Sequence, residues 1–469
     1  MKPPKTASSV VLLAILGFVL LPPATIFAQS AGSEIDLDAL FGDETVVEQE
    51  APKEPLPNPV ASLVKTEGVR IGGSFSGSLA TALTWNNLWD GSSGILDPET
   101  RVLSAALGST IFFDARPGED FRVYGSAKTS WPFYRSVGSI EVPSIDIFEL
   151  FADVALDDKV FIRFGKSTVK WGVGYFWSPA DVINLEPINI FDAEAQREGP
   201  ISLRIHIPQL GSQNNFYMYA ILDKSNVDFE TTALAAKAEF LLGAYEIGIG
   251  GYYRYDTAER GMLTLTGPVG PFDFFGEAMI SRGTAKTFVE SIQTTLPYSI
   301  TLSNQDDNRE DLFFSASVGF LYSNSNEKTS FLAQYFFNGE GYGPFKREAL
   351  ITDGKAAIFN AGGPESLIGQ GLSSALAGLL LGSGQHYAAV NLSKGEAIWE
   401  DLSVSILALA NLSDFSGIIK PSATWSVSDN FSINASPTFV FGPEDGEYSF
   451  LAGGPKTTFT LGAKLSGAF

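Results

Sequence analysis

The chain has 469 residues, no cysteine and a formal net charge of −22 at pH 7. The lack of cysteine excludes disulfides, cysteine-ligated metals and thiol catalysis, and the acidic balance argues against nucleic-acid binding. Aromatic residues make up 12% of the chain and glycine contributes 47 residues, whereas charged residues make up only 18%. This composition favours many strands joined by tight turns.

The N-terminal segment is typical of a secretory signal peptide. Lys2 and Lys5 precede an apolar run over residues 10–21, and a small-residue cleavage site follows at Ala28. The run is too short to predict a membrane-spanning helix, which needs about 20 apolar residues. We therefore predict a signal peptide over residues 1–28.

Residues 29–66 form an acidic, proline-rich leader. Residues 30–58 contain eight Asp or Glu and one Lys, and Ser33 and Gly42 can cap and end a short helix between them. The prolines predict an extended tether after this helix. We expect the leader to lie in the periplasm; its partner is unknown, and a leader with no partner is an equally open alternative.

From residue 67 to residue 469, apolar and polar side chains alternate in one segment after another. The segment Ile201–Ile207 places four aliphatic residues on one face and Ser202, Arg204 and His206 on the other. Alternation with period two is the pattern of strands that separate an oily side from a wet side. It predicts an all-β fold, a transmembrane antiparallel β-barrel with lipid outside and water inside.

The connections between these segments support a barrel. Short turns alternate with long connections at 86–100, 132–144, 171–198, 283–308, 339–384 and 442–455. Outer-membrane barrels have short periplasmic turns and longer external loops, whereas a soluble β-sandwich requires no such alternation. Both termini would then lie in the periplasm. We predict about 18 strands, with 16 as the alternative count, near residues 69–85, 101–115, 120–131, 145–157, 159–170, 199–208, 213–223, 230–242, 244–255, 258–267, 271–282, 309–322, 328–338, 385–394, 399–411, 416–427, 431–441 and 456–469.

The last strand ends on Phe469, and its apolar face includes Phe459, Leu461 and Leu465. A closing strand that terminates on Phe resembles the C-terminal signal read by outer-membrane assembly machinery. We therefore expect that machinery and outer-membrane lipid to be partners of the chain.

Charged side chains on the wet faces are the candidate pore lining. A charge near the middle of the bilayer is costly on the lipid side, so these residues should face the lumen. Basic and acidic walls would set a transverse field that filters ions and orients polar solutes. The predicted pore-lining residues are Arg70, Arg122, Lys128, Glu149, Asp153, Arg163, Arg204, His206, Lys237, Glu239, Glu246, Arg254, Asp273 and Glu277.

The connection over residues 171–198, here called the constriction loop, is rich in aromatic residues, Gly and Pro. A loop of this length is usually functional or disordered, and its aromatic content argues against disorder. We expect it to fold inward and narrow the pore through Trp171, Gly172, Tyr175, Trp177, Pro179, Asp181 and Asn184.

The stretch from Gly165-Lys166 through Trp171-Gly172 to Ser178-Pro-Ala-Asp-Val-Ile-Asn184 resembles a segment of porin-like Gram-negative outer-membrane barrels. Alginate-export-type porins and related barrels carry similar segments. The resemblance implies a channel-forming barrel with this loop in or near the pore, and it does not carry over a substrate.

The longest connection contains a second pattern. Ile368, Leu372, Leu376 and Leu379 recur at helical spacing and predict a short helix, folded into the mouth or packed under other loops.

We thus expect an outer-membrane channel for passive diffusion of small hydrophilic solutes or ions, with no cofactor, no metal site and no enzymatic activity. Two alternatives stay open. One is a plugged structural or surface-exposed barrel that binds partners through its loops. The other is a barrel-wall hydrolase, which would depend on His206 or His386, the two histidines of the chain.

Overall fold

The computed structural model describes residues 68–86, 98–118, 120–137, 140–157, 159–184, 188, 197–209, 212–222, 228–303, 308–363, 366–452 and 456–469. The predicted signal peptide and acidic leader lie outside the described residues.

Eighteen antiparallel strands form one closed barrel. Each strand pairs with its neighbours in chain order, and the first pairs with the last. The barrel strands are β1 (Val69–Trp85), β2 (Thr100–Gly118), β3 (Phe121–Val137), β4 (Ile140–Leu156), β5 (Val160–Lys166), β6 (Ile201–Pro208), β7 (Asn215–Leu222), β8 (Ala233–Leu242), β9 (Tyr245–Tyr253), β10 (Glu259–Val269), β11 (Phe272–Arg282), β14 (Leu312–Asn324), β15 (Thr329–Phe337), β16 (His386–Lys394), β17 (Leu402–Asn411), β18 (Ser416–Ser428), β19 (Phe431–Phe441) and β20 (Thr457–Ala468).

The count of 18 strands is confirmed, and the alternative of 16 is wrong. Each predicted strand has a counterpart, and β1 and β19 have the predicted bounds. One predicted connection, 132–144, is also wrong. β3 and β4 continue pairing as far as Val137 and Ile140, so only two residues join them. An irregular register between Thr129 and Tyr134 accommodates Pro132 within the ladder, and Pro143 pairs with Tyr134.

The two faces of the wall differ in chemistry, as the alternation predicts. Outward side chains are apolar and exposed: Ile71, Leu103 and Ile249 are 53%, 73% and 54% exposed. Several inward side chains are polar and buried, such as Gln334 and Ser281. An apolar outer band around a polar interior is the arrangement that a membrane-embedded barrel requires. Within the described ranges, no helix is long and apolar enough to cross a membrane.

The seam of the barrel lies between β1 and β20. Backbone hydrogen bonds join Gly73 and Phe469 in both directions, at 3.0 and 2.9 Å. A side chain at Gly73 would meet the Phe469 ring at 2.7 Å, so glycine leaves the space that the terminal aromatic fills. The last residue is therefore built into the closed wall.

Short turns cluster at one end of the barrel, the turn end, and long connections at the other, the loop end. Three of the long connections contain structure that forms a loop-end cap. It comprises a hairpin of β12 (Val289–Gln293) and β13 (Ser299–Leu302), with helices α1 (Pro344–Asn360), α2 (Leu367–Leu380) and α3 (Glu447–Ala452). The predicted helix is confirmed as α2; the hairpin and α1 were not predicted.

The loop-end cap has its own hydrophobic core. Val289 and Ile292 of the hairpin pack with Ile351 of α1 and with Leu376 and Leu380 of α2. The apolar stripe of α2 is thus covered by neighbouring loop elements. Because the cap is packed like a small domain, it is a fixed structure over part of the loop end.

Candidate functional site

The constriction loop leaves β5, turns into the barrel and lies against the inner wall. Trp171 is only 1% exposed and packs edge-on against Tyr219 of β7, with ring centroids 5.2 Å apart. Its indole Nε1 donates to Met262 Sδ on β10 at 2.6 Å. Large aromatic side chains contribute most to burial, so Trp171 anchors the start of the loop.

The far part of the loop crosses to later strands. Tyr175 packs on Phe275 of β11, and Trp177 stacks on Phe336 of β15 with ring centroids 5.8 Å apart. Phe176 is buried with Leu409 of β17. The described loop contacts therefore cover the inner wall from β7 to β17 and leave the lumen next to β1–β6.

Three polar wall residues hold the loop backbone. Lys237 Nζ of β8 donates to the Trp171 carbonyl at 2.9 Å. Glu277 of β11 accepts from Ser178 Oγ at 3.1 Å and from the Ala180 amide at 3.2 Å. Gln334 of β15 accepts from the amides of residues 175 and 176 and donates to the carbonyl of residue 177.

Glu277 is the least expected of these groups. Its side chain is 4% exposed, and no Lys or Arg of the described chain forms a salt bridge with it. A buried carboxylate without a cation is costly unless hydrogen bonds compensate for its desolvation. Two of its three hydrogen-bond donors belong to the constriction loop, and Ser317 Oγ is the third. Loop binding thus accounts for a carboxylate at this position.

The loop is also braced internally. Arg197 pairs with the buried carboxylate of Asp181 at 2.5 Å. Asn184 Nδ2 donates to the Val169 carbonyl at 2.6 Å and to Asp181 at 2.7 Å. These contacts tie Arg197, near the end of the loop, to Asp181 and Asn184 in its first half.

Gly174 allows the loop to approach the wall. A Cβ at this position would lie 2.0 Å from the Trp177 carbonyl oxygen and 2.4 Å from Glu277 Oε1. We expect Gly174→Ala to weaken loop docking by about 1–3 kcal/mol, or roughly 5- to 150-fold in amide protection at residues 175 and 176. Hydrogen–deuterium exchange measures this, and Gly378→Ala in α2, where a Cβ meets nothing within 4 Å, is the control. Unchanged protection would show that the loop is not held by close contact.

The predicted pore-lining residues share the inner face in thirteen of fourteen cases, as the cross-strand registers place them. Arg254 lies one residue beyond the end of β9. Lys237 and Glu277 are buried under the loop, whereas Arg122, Glu149 and Arg204 lie on the wall that the described loop contacts leave uncovered.

The uncovered wall carries paired charges. Arg122 and Asp114 form a bidentate pair at 2.9 and 3.1 Å, and Arg163 and Asp153 form another at 2.7 and 3.0 Å. Arg204 is the cross-strand partner of Arg163. The Arg122 and Arg163 guanidinium groups are thus fixed by the wall, in a geometry suited to recognising anionic groups.

Acidic residues gather on the other side of the turn end. Glu239 and Glu246 lie near the turn between β8 and β9, and Asp273 is the second residue of β11. Lys237 pairs with Glu239 at 2.7 Å. The inner face therefore has an arginine-rich sector on β1–β6 and a carboxylate-rich sector on β8–β11.

The two histidines lie on opposite faces of the wall. His206 Nε2 is hydrogen-bonded to Asn215 at 2.9 Å on the inner face, and His386 Nδ1 to Tyr335 at 2.7 Å on the outer face. Neither ring nitrogen pairs with a serine hydroxyl in the described residues. The contacts that a Ser–His hydrolase would need are not formed at either histidine.

A buried ionic cluster joins the loop-end cap to the barrel rim. Arg347 of α1, 3% exposed, pairs with Asp414 and with Glu447 of α3. Glu447 also accepts from the Tyr387 hydroxyl at 2.8 Å and from the Gly382 amide at 2.8 Å. Burial raises the pKa of the Glu447 carboxyl, which Arg347 opposes by lowering it.

This raised pKa makes cap stability depend on pH. A carboxyl whose pKa is higher in the folded state stabilises that state at pH values below the ordinary pKa of a Glu. This stability is lost as the pH rises through the folded-state pKa. We expect amide protection at Gly382, corrected for intrinsic exchange, to fall over that window. In Glu447→Gln the protection should not vary with pH. A parallel pH dependence in both proteins would contradict this role for Glu447.

Several residues of the site were not predicted. Gln334 bonds the loop from β15, and the loop residues Ser178 and Arg197 bond Glu277 and Asp181; none of these bonds leaves a periodic signal in the sequence. Met262, which accepts from the Trp171 indole, was not predicted because nothing in the sequence distinguishes it from the other residues of its strand. Gln334 could have been noticed, because it is a large polar residue in a strand that contains four aromatic residues.

No protein-family model matches the chain, and no curated protein sequence matches it. Among solved structures, the chain is similar to OccK11 (OpdR) from Pseudomonas aeruginosa, with 8% identity and a TM-score of 0.47 over 85% of this chain and 96% of that chain. It is similar to OccAB1 from Acinetobacter baumannii, with 11% identity and a TM-score of 0.46 over 85% and 97% of the two chains. For OmpF from Salmonella typhi in complex with daunomycin, the identity is 10% and the TM-score 0.40, over 85% and 97%. The strand pairing by itself defines the barrel, independently of these similarities.

Proposed function

We propose that this chain is an outer-membrane channel for passive diffusion of small hydrophilic solutes or ions. The observation that carries the proposal is a closed wall, apolar outside and charged inside, with a loop fixed along one side of the lumen. The apolar outer face contacts lipid, and the charged inner face contacts water and solutes. The turn end then faces the periplasm, and both chain termini lie there.

The constriction loop sets the narrowest point in this proposal. Solutes pass between the loop and the arginine-rich sector, which faces the loop across the lumen. Pore width limits solute size, while the arginine-rich and carboxylate-rich sectors orient polar solutes by their field. The proposed pore-lining and constriction residues are those named from the sequence, except Lys237 and Glu277, which are buried under the loop and hold it in place.

Planar-bilayer recording of the folded chain tests the proposal. Stable single-channel steps, with a reversal potential in a salt gradient, are the expected result. A folded barrel that never conducts would overturn it and favour a plugged, partner-binding barrel. The loop-end cap and the buried constriction loop are the observations that favour this second candidate.

Charge on the uncovered wall should set ion preference. We expect Arg204→Gln to shift the reversal potential toward cations, because the inner face loses one positive charge beside Arg163. Arg282→Gln, at the outward-facing end of β11, is the matched control and should leave the reversal potential unchanged. An equal shift in both variants would place the selectivity outside the lumen.

A further inference from the structure

A cavity of about 350 Å³ lies at the turn end of the arginine-rich sector, between the ends of β3, β4, β5 and β6. Four arginines and two aspartates line it, which gives a formal excess of two positive charges. Nearby Asp114 pairs with two of these arginines, Arg116 and Arg122, and brings the local excess to one positive charge. The charged lining residues and the one histidine are Arg116, Asp120, Arg122, Asp153, Arg163, Arg204 and His206.

The arginines of this cavity are held in place by the wall. Arg122 bonds Asp114 through two nitrogens, and Arg163 bonds Asp153 in the same way. A guanidinium group carries five N–H donors, and each of these pairs uses two of them. Fixed guanidinium groups lose little entropy on binding and suit carboxylates in particular.

The leader of this same chain joins the barrel beside the cavity. The amide of Arg116 donates to the carbonyl of Gly68 at 2.7 Å, so the chain enters the wall next to a lining residue. Residues 30–58, with eight carboxylates and one lysine, precede this point. The 14 residues from Glu54 to Gly68 can span up to about 46–50 Å, and Gly68 itself bonds Arg116, which lines the cavity.

We propose that the acidic leader, residues 30–58, binds this cavity through its carboxylates. The charges are complementary, and the tether begins at the cavity rim. A short tether holds its segment at an effective concentration in the millimolar range, so weak individual ion pairs are sufficient. The bound leader would occupy the turn end of the arginine-rich sector and compete there with anions.

Distance measurement between two spin labels tests the proposal. The chain has no native cysteine, so Gln49→Cys in the leader and Lys159→Cys at the β4–β5 turn can be labelled selectively. Double electron–electron resonance on the full folded chain should give a narrow, short distance component. Raising the salt from about 0.01 M to about 1 M shortens the Debye length from about 30 Å to about 3 Å and should abolish that component.

Two sets of substitutions separate the leader from the cavity. Neutralising the leader, through Glu34→Gln, Asp36→Asn, Asp38→Asn, Asp43→Asn, Glu44→Gln, Glu48→Gln, Glu50→Gln and Glu54→Gln, leaves every barrel residue unchanged and should abolish the short component. Arg116→Gln with Arg204→Gln should do the same. Lys464→Gln, an inner-face cation on β20, is the matched control and should leave the component intact.

A broad distance distribution at low salt, in the spin-labelled chain without the neutralising substitutions, would overturn the proposal. A short component that survives either set of substitutions would also overturn it, because the leader would then bind elsewhere. The distance readout does not depend on conduction, so failure of this proposal and failure of the channel function are distinguishable.

Discussion

Replacing Glu277 and Gln334 together by alanine should release the constriction loop and raise single-channel conductance. The two side chains make five hydrogen bonds to the loop between residues 175 and 180. At roughly 0.5–1.5 kcal/mol each, they contribute about 2.5–7.5 kcal/mol to docking. Trp171 stays anchored on β7 and β10, so the loop should swing about its first residues and not leave the lumen.

Planar-bilayer recording of the double variant measures this effect, with hydrogen–deuterium exchange at residues 175 and 176 as the report on the loop itself. Ser405→Ala is the control, since it removes an inner-wall hydrogen bond to Ser422 without touching the loop. We expect larger and noisier steps in the double variant alone. Faster exchange with unchanged conductance would mean that the loop does not form the narrowest point.

Phe75→Arg should prevent stable insertion of the barrel, whereas Ser76→Arg should be tolerated. The two residues are neighbours near the middle of β1, and both are exposed. Phe75 lies on the outer face and Ser76 on the inner one, as their partners Ser109 and Gly108 on β2 also do. An arginine facing lipid at the bilayer midplane costs about 2–4 kcal/mol, while one facing the lumen remains in water.

Heat-modifiable migration on gels and urea unfolding in lipid vesicles measure the difference. Phe75→Ala controls for loss of the aromatic ring and should lower stability less than the arginine does. If Phe75→Arg and Ser76→Arg proved equally stable, the outer face would not be in contact with lipid.

The barrel was predictable from sequence because each strand repeats the same two-residue alternation, and eighteen weak signals reinforce one another. The prediction was wrong at 132–144, where the β3–β4 ladder continues around Pro132 and Pro143, although proline is rare inside a sheet. Local propensity was overridden there by pairing with a long neighbouring strand.

The loop-end cap was harder to foresee. Its hairpin and α1 are stabilised by each other and by α2, as Val289, Ile351 and Leu376 show, so none of them carries a complete apolar stripe of its own. The same distinction between local and long-range information applies to the residues of the site. Which charged residues lie on the inner face could be predicted from the two-residue alternation of the strands. The contacts of Glu277 and Gln334 with the constriction loop could not, because they depend on how that loop folds across the lumen.

The seam between β1 and β20 joins strands that are far apart in the chain. Thr84 and Thr458 meet there through their hydroxyl groups, although 374 positions separate them in the chain. Contacts between such distant residues form slowly, because the intervening chain must first be brought together. Until the last dozen residues arrive, β1 and β19 both present open hydrogen-bonding edges that invite aggregation. The wall can therefore close only after β20 has been made, and until then the open edges of β1 and β19 must be kept from pairing with other chains.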